Sequence, residues 1–211
     1  MFGIHHYLLF VLAGILLNLT PGTDTMYIMG RSISQGTKAG IYSTFGIAAG
    51  TLVHTFLAAL GLSYLLAKSL LLFTVIKIIG AAYLVYLGIG LLRTKAANSS
   101  LELEQMRQES MRKIFLQGMI TNMTNPKVAL FFIAFLPQFV DVHAHRSISF
   151  ILLGATFILT GTLWSILVSY FASFAAGKFR SNPRIGLWLN RITGGVFILL
   201  GANLFRAKIS N

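Results

Sequence analysis

Long apolar runs separated by short charged stretches set the pattern of the chain. Residues 1–29 carry one formal charge, Asp24, and residues 39–67 carry none. Residues 69–92 are interrupted only by Lys77, 114–140 only by Lys127 and 185–205 only by Arg191, while 147–177 hold no charge. A helix crossing a bilayer needs about 20 mostly apolar residues, so the pattern predicts six spans. Period-two alternation is absent and the runs are too long for barrel strands, so the spans are helices. The first run lacks a basic leader and passes into Thr20-Pro21-Gly22 without a small-residue cleavage pattern. It is therefore read as a retained helix rather than a signal peptide.

Between the third and fourth spans, Arg93 to Lys113 is the one hydrophilic stretch of any length, and it reads as a solvated linker. It divides a single domain, 1–211, into a first half of about 1–95, a linker of about 96–113 and a second half of about 114–211. Composition agrees with a lipid-facing chain: of 211 residues, 55% are hydrophobic and 10% charged, and mean hydropathy is +0.76. Soluble domains carry roughly 25% charged residues, so a water-soluble enzyme is excluded, as is a disordered chain. The net charge of +12 sits mostly where apolar runs end, which is a topology signal and not a nucleic-acid groove. Arg31, Lys38, Arg93, Lys95, Arg107, Arg112, Lys113, Lys178, Arg180 and Arg184 fall on one predicted face, and Lys68, Arg146, Arg206 and Lys208 on the other. The richer face is cytoplasmic by the positive-inside rule, which puts both termini outside. With no cysteine there is no disulfide, thiolate or Cys-based metal chemistry.

The two halves share an ordered set of residues. Gly14, Asn18, Thr20 and Pro21 match Gly118, Asn122, Thr124 and, after one inserted residue (Asn125), Pro126. In the third and sixth spans, Lys77 pairs with Arg191, Gly80 with Gly194 and Gly88 with Gly201. A unit of three spans must be inserted upside down the second time, and inverted repeats are an architecture of secondary transporters. The expected fold is an all-α integral membrane protein of six transmembrane helices, two inverted three-helix repeats with broken helices 1 and 4.

Those breaks carry the chemistry. Proline removes a donor and clashes with the preceding turn, so Thr20-Pro21-Gly22 and Thr124-Asn125-Pro126 free backbone polar groups. Each such group left unsatisfied in lipid costs several kcal/mol, so the breaks must face protein or a wet cavity. Asn18, Thr20, Thr23, Asn122, Thr124 and Asn125 are suitable local partners. Lys127 lies about 20 Å of helix from either end of its run, too deep to snorkel, and a cation there costs at least about 2.5–3.5 kcal/mol. Asp24 is the sole acid in the first 100 residues. Asp24 and Lys127 are expected to face each other, or a shared ligand, across the pseudo-two-fold axis; the bland alternatives are a structural ion pair and an Asp24 that merely caps a helix at the interface.

Other intramembrane polar groups signal less. His54 suits a proton relay or a hydrogen-bonded structural histidine. Lys77 and Arg191 can snorkel. Gln138 lines an exit or ends a helix, and Trp164, with Thr160 and Thr162, touches substrate or packs. Gly46-x-x-x-Gly50 serves internal packing or a homodimer. His143-x-His145 is too sparse for a metal site, and no metal ligand set is expected. An intramembrane protease would need paired aspartates, a nucleophile with its base, or His-Glu-x-x-His, so no enzyme is expected.

Asn18-Leu-Thr-Pro-Gly-Thr-Asp24, followed by Asn122-x-x-Asn125-Pro-Lys127 and Phe135-Leu-Pro-Gln-Phe139, resembles the LysE/RhtB family of bacterial amino-acid exporters. The likeness covers essentially the whole chain. It implies efflux of amino acids such as lysine, arginine, homoserine, threonine or leucine across the bacterial inner membrane, driven by the proton gradient. Thr23 stands where the family usually has a second proline. The expected function is alternating-access export of a small neutral amino acid, since a cationic cargo would call for a second buried acid. Export of basic amino acids, or of a metal or other cation, is the alternative. The partners are the amino acid and the bilayer, with no nucleic acid and no cofactor beyond a coupling proton.

Overall fold

The structure is a computed structural model that describes residues 3–62, 64, 70–93, 108–141 and 146–174, together with 191, 194, 195, 198, 199 and 202. The linker cations Lys95 and Arg107, as well as Lys68, His143, His145, Lys178, Arg180, Arg184, Arg206, Lys208 and most of 185–205, lie outside the described residues. The described chain is helical, with a lone antiparallel bridge between Ile4 and Val140. Its elements are α1 (Tyr7–Leu19), α2 (Thr23–Leu57, extended by a π-helical turn, Ala58–Leu62), α3 (Leu70–Arg93), α4 (Met111–Met123), α5 (Pro126–Ala134), a 3-10 turn (Leu136–Phe139) and α6 (Arg146–Phe174).

The stretch Thr23–Leu62 is helical for 40 residues, about 60 Å if straight and twice the hydrocarbon thickness. It is not straight. Gly36 takes φ 81° and ψ 175°, a left-handed φ that glycine adopts at no steric cost. Beyond it the chain doubles back. A Cβ added at Gly118 would lie 3.3 Å from the Tyr27 ring and 3.5 Å from Gly46 Cα. Tyr27 and Gly46 would stand nearly 30 Å apart on a straight helix, yet both touch one point of α4. A Cβ at Gly40 would likewise run into Ser32. Residues 23–35 and 37–62 are therefore the two limbs of a helical hairpin. The first limb runs six residues past the end of the opening apolar run, because its polar end finds partners: Arg31 bonds Gln35 and Gln117.

Breaks fall where the prolines are. Thr20 to Gly22 separate α1 from α2, and Thr124 and Asn125 separate α4 from α5, with a 50° bend between Met111–Met123 and Pro126–Phe139. Around the hairpin, α4 and α6 pack against α2. Gly46 and Gly50 face α4, where a Cβ at Gly50 would come within 2.7 Å of both Asn122 Cβ and Met119 O; the small-residue motif thus serves packing within the chain. Gly88 of α3 lies against Gly194 and Ile198 of the last stretch. Phenylalanines build the core beneath the breaks: Phe10, Phe131, Phe132, Phe135, Phe139 and Phe157 are buried. Their ring centroids stand 4.8–6.3 Å apart, in the range where aromatic pairs attract.

The outer faces are the reverse of a soluble protein's. Leu8, Leu60, Leu71, Leu159, Phe171 and Leu199 are all more than half exposed, and only 17% of the most apolar window of Ser147–Ser173 is buried. Apolar surface on that scale requires a lipid environment or a partner.

Candidate functional site

The last turn of a helix leaves carbonyls without intrahelical donors. At the end of α1, Thr20 N–H turns back to Leu16 O and Leu17 O, at 3.1 and 3.2 Å, and its Oγ1 donates to Leu16 O at 2.7 Å. The rest is supplied from far along the chain. Lys127 Nζ donates to Leu17 O at 3.2 Å and to Thr20 O at 3.0 Å. A cation suits the negative end of a helix dipole, and here it also meets freed acceptors. Pro21 and Gly22 shape the passage, since a Cβ at Gly22 would stand 3.0 Å from Lys127 Nζ.

The second break satisfies its backbone groups locally, while Asn125 Nδ2 is buried with no hydrogen-bond partner among the described residues. Asn125 is the N-cap of α5: its Oδ1 accepts from Lys127 N–H at 3.0 Å, and Pro126 occupies the first turn where no donor is needed. Asn125 N–H donates to Asn122 O at 3.0 Å. Thr124 Oγ1 donates back to Ile120 O at 2.9 Å.

Between α1, the hairpin, α4, α5 and α6 lies a cleft of about 520 Å³ of empty space, its mouth included. Asn18, Asp24, Asn122, Lys127 and Trp164 line it, with Thr51, Thr162 and an apolar wall that includes Leu17, Ile47, Val128 and Phe157. Asn122 is 1% exposed and organises the polar side. Its Nδ2 donates to Asp24 Oδ2 at 2.8 Å, its Oδ1 accepts from Thr51 Oγ1 at 3.2 Å, and its carbonyl accepts from His54 Nε2 at 3.1 Å. Asn18 Nδ2 reaches Thr160 Oγ1 at 3.5 Å.

Asp24 and Lys127 line the same cleft without a direct ion pair between them. Asp24 Oδ1 and Trp164 Nε1 are both buried and have no hydrogen-bond partner among the described residues. A buried group left unpaired costs about 1–3 kcal/mol, more when charged, so these are the atoms with most to gain from a ligand. The chemistry available is one carboxylate acceptor, one ammonium with two of its three N–H groups engaged, and neutral donors around an apolar wall.

Several residues singled out by motif stand elsewhere. Gln138 is exposed on the 3-10 turn and donates to Ala134 O, because the turn after Pro137 carries it to the outside. Thr124 and Pro126 are exposed on the outer side of the second break. Thr20 is fully buried and contributes its backbone carbonyl. His54 is 8% exposed, bonded to Asn122 and 5.8 Å from the Phe132 ring.

Spacing in the sequence did not single out a second polar cluster. Arg31, 5% exposed, donates from one terminal guanidinium nitrogen to Gln35 Oε1 at 3.0 Å and from the other to Gln117 Oε1 at 2.7 Å, over the Tyr27 ring. Gln35 in turn exchanges two bonds with the Glu109 peptide, at 2.9 and 3.0 Å. The available signal was Arg31 and Gln35 at i,i+4, with an extended polar side chain, Gln117, in the facing run.

Comparison with known proteins matches the family model of the LysE type translocator over residues 15–208. The chain is 32% identical to an uncharacterised membrane protein of Bacillus subtilis, YrhP, over 93% of this chain and 97% of the relative. It is 33% identical to an uncharacterised membrane protein of Vibrio cholerae, covering 97% of this chain and 98% of that one. A membrane protein of Pseudomonas aeruginosa is 31% identical over 99% and 98% of the two chains. No solved structure matches.

Proposed function

The chain belongs to the LysE type translocator family, and from that premise we propose that it exports a small neutral amino acid across the bacterial inner membrane. The observation that carries this reading is the cleft in which Asp24 and Lys127 stand apart with a buried, unpaired carboxylate oxygen between the two broken helices. A zwitterion brings the two charges such a site lacks. Its ammonium would meet Asp24 Oδ1, and its carboxylate the third N–H of Lys127, since an ammonium has three donors and two are engaged. Asn18 and Asn122, which line the cleft, orient the cargo. The apolar wall accepts a short uncharged side chain; a cationic one would need an acid beyond Asp24.

The transporter we propose works as two inverted three-helix repeats rocking about the cleft, with both termini outside and a proton exchanged at Asp24. Two features support this: proline breaks at matching places in the two halves, and the close approach of α3 to the last stretch at Gly88 and Gly194. Midplane sites at broken helices are where inverted-repeat transporters hold cargo. The test is Asp24→Asn in proteoliposomes loaded with unlabelled threonine, homoserine or leucine. Loss of exchange of the matching labelled amino acid, in protein that still folds, is expected; unimpaired exchange would remove Asp24 from the mechanism.

A further inference from the structure

Trp164 occupies a defined place on α6. Three residues before it, Gly161 lies so near Asn18 of α1 that a Cβ there would be 3.2 Å from the Asn18 amide. Five residues after it, Ser169 Oγ meets Thr44 Oγ1 of the hairpin at 3.3 Å. These contacts fix α6 against both walls on either side of Trp164, whose side chain lines the cleft. Two neighbouring hydroxyls on α6 have internal partners: Thr160 Oγ1 donates to Thr156 O and Ser169 Oγ to Ser165 O. The indole N–H is buried and has none among the described residues. Indole nitrogen can only donate, so what would complete it is an acceptor.

The cleft thus holds an orphaned acceptor, Asp24 Oδ1, and an orphaned donor, Trp164 Nε1–H. We propose that Trp164 is the residue that requires an acceptor oxygen at the cargo's carboxylate, its N–H donating to one carboxylate oxygen while Asp24 takes the ammonium. This rests on the amino-acid reading above and narrows it: decarboxylated amines of the same shape, which bring no acceptor oxygen, would be rejected at Trp164. Lys127, committed to Leu17 O and Thr20 O, then supplies charge and one bond, and the neutral indole supplies the discrimination. A site that places a buried donor for one group penalises the analogue lacking that group, because the donor is left unpaired.

The experiment is inhibition of labelled threonine and leucine counterflow by each free amino acid and by its decarboxylated amine, with wild type and Trp164→Phe. The free acids should inhibit the variant about tenfold more weakly, as expected for loss of one hydrogen bond to a charged group, while the amines inhibit both proteins equally. An equal shift for acids and amines, or none for either, overturns the role of Trp164 while amino-acid transport stands. Wild type that exchanges no amino acid overturns the underlying reading instead. The chain has two tryptophans, so Trp188→Phe leaves Trp164 as the sole tryptophan. Its emission should shift saturably with the free acid and not with the amine, and an identical response to both would also overturn the proposal.

Discussion

The two breaks share a sequence pattern and solve the same problem in different ways. At the second, the residues that create the interruption also repair it: Asn125 caps α5 and Thr124 bonds back into α4. At the first, no local side chain reaches the carbonyls of Leu17 and Thr20, and an ammonium more than 100 residues away does so. One break meets its backbone groups locally and the other depends on the opposite half of the chain. A self-capped break fixes a local bend. A break closed by a distant cation ties α1 to α5 only while that cation stays, so the first is the break whose partner a carboxylate-bearing ligand can compete for.

Removing the cation is the strongest way to break this contrast. Lys127→Met keeps bulk and loses both charge-assisted bonds, each worth about 1.5–3 kcal/mol. Stability by thermal unfolding in detergent should fall by about 3 kcal/mol or more, with exchange abolished. Asn125→Ala acts on the locally capped break and should cost about 1 kcal/mol, the ordinary value of an N-cap, leaving measurable exchange. The smallest effect on stability belongs to Gly22→Ala. Its new methyl meets only the far end of a flexible lysine, at 3.0 Å, so Nζ gives by a few tenths of an ångström and keeps its bonds; stability should change by less than about 0.5 kcal/mol, with exchange slowed but retained. Equal losses from Lys127→Met and Asn125→Ala would erase the contrast.

Much of this was readable in the sequence, for a reason of cost. Prolines, glycines and single charges inside apolar runs are expensive in lipid, so Pro21, Gly22, Asp24, Asn122 and Lys127 announce themselves. The direction in which a side chain leaves its helix is not so announced. Lys127 belongs to the second motif by position, yet it serves the first break, because the start of α5 lies within its side chain's reach of the end of α1. Thr124 stands inside the second motif and Gln138 inside the Phe135–Phe139 segment, and both point outward. Thr51 was invisible among many helical threonines, and Arg31 looked like any cation at the end of a run; its burial depends on Gln117, 86 residues away. The fold-back at Gly36 is marked by a residue type common throughout the chain, 20 glycines in all, and only tertiary contacts distinguish it.

The most direct test is counterflow into liposomes that contain the purified protein and are preloaded with one unlabelled amino acid at a time, with Lys127→Met as the blank. Accumulation of labelled threonine, homoserine or leucine, absent from the blank, is the expected result. Silence across the panel with folded protein in the membrane, or accumulation confined to lysine and arginine, would contradict a neutral amino-acid site built on one carboxylate and one ammonium.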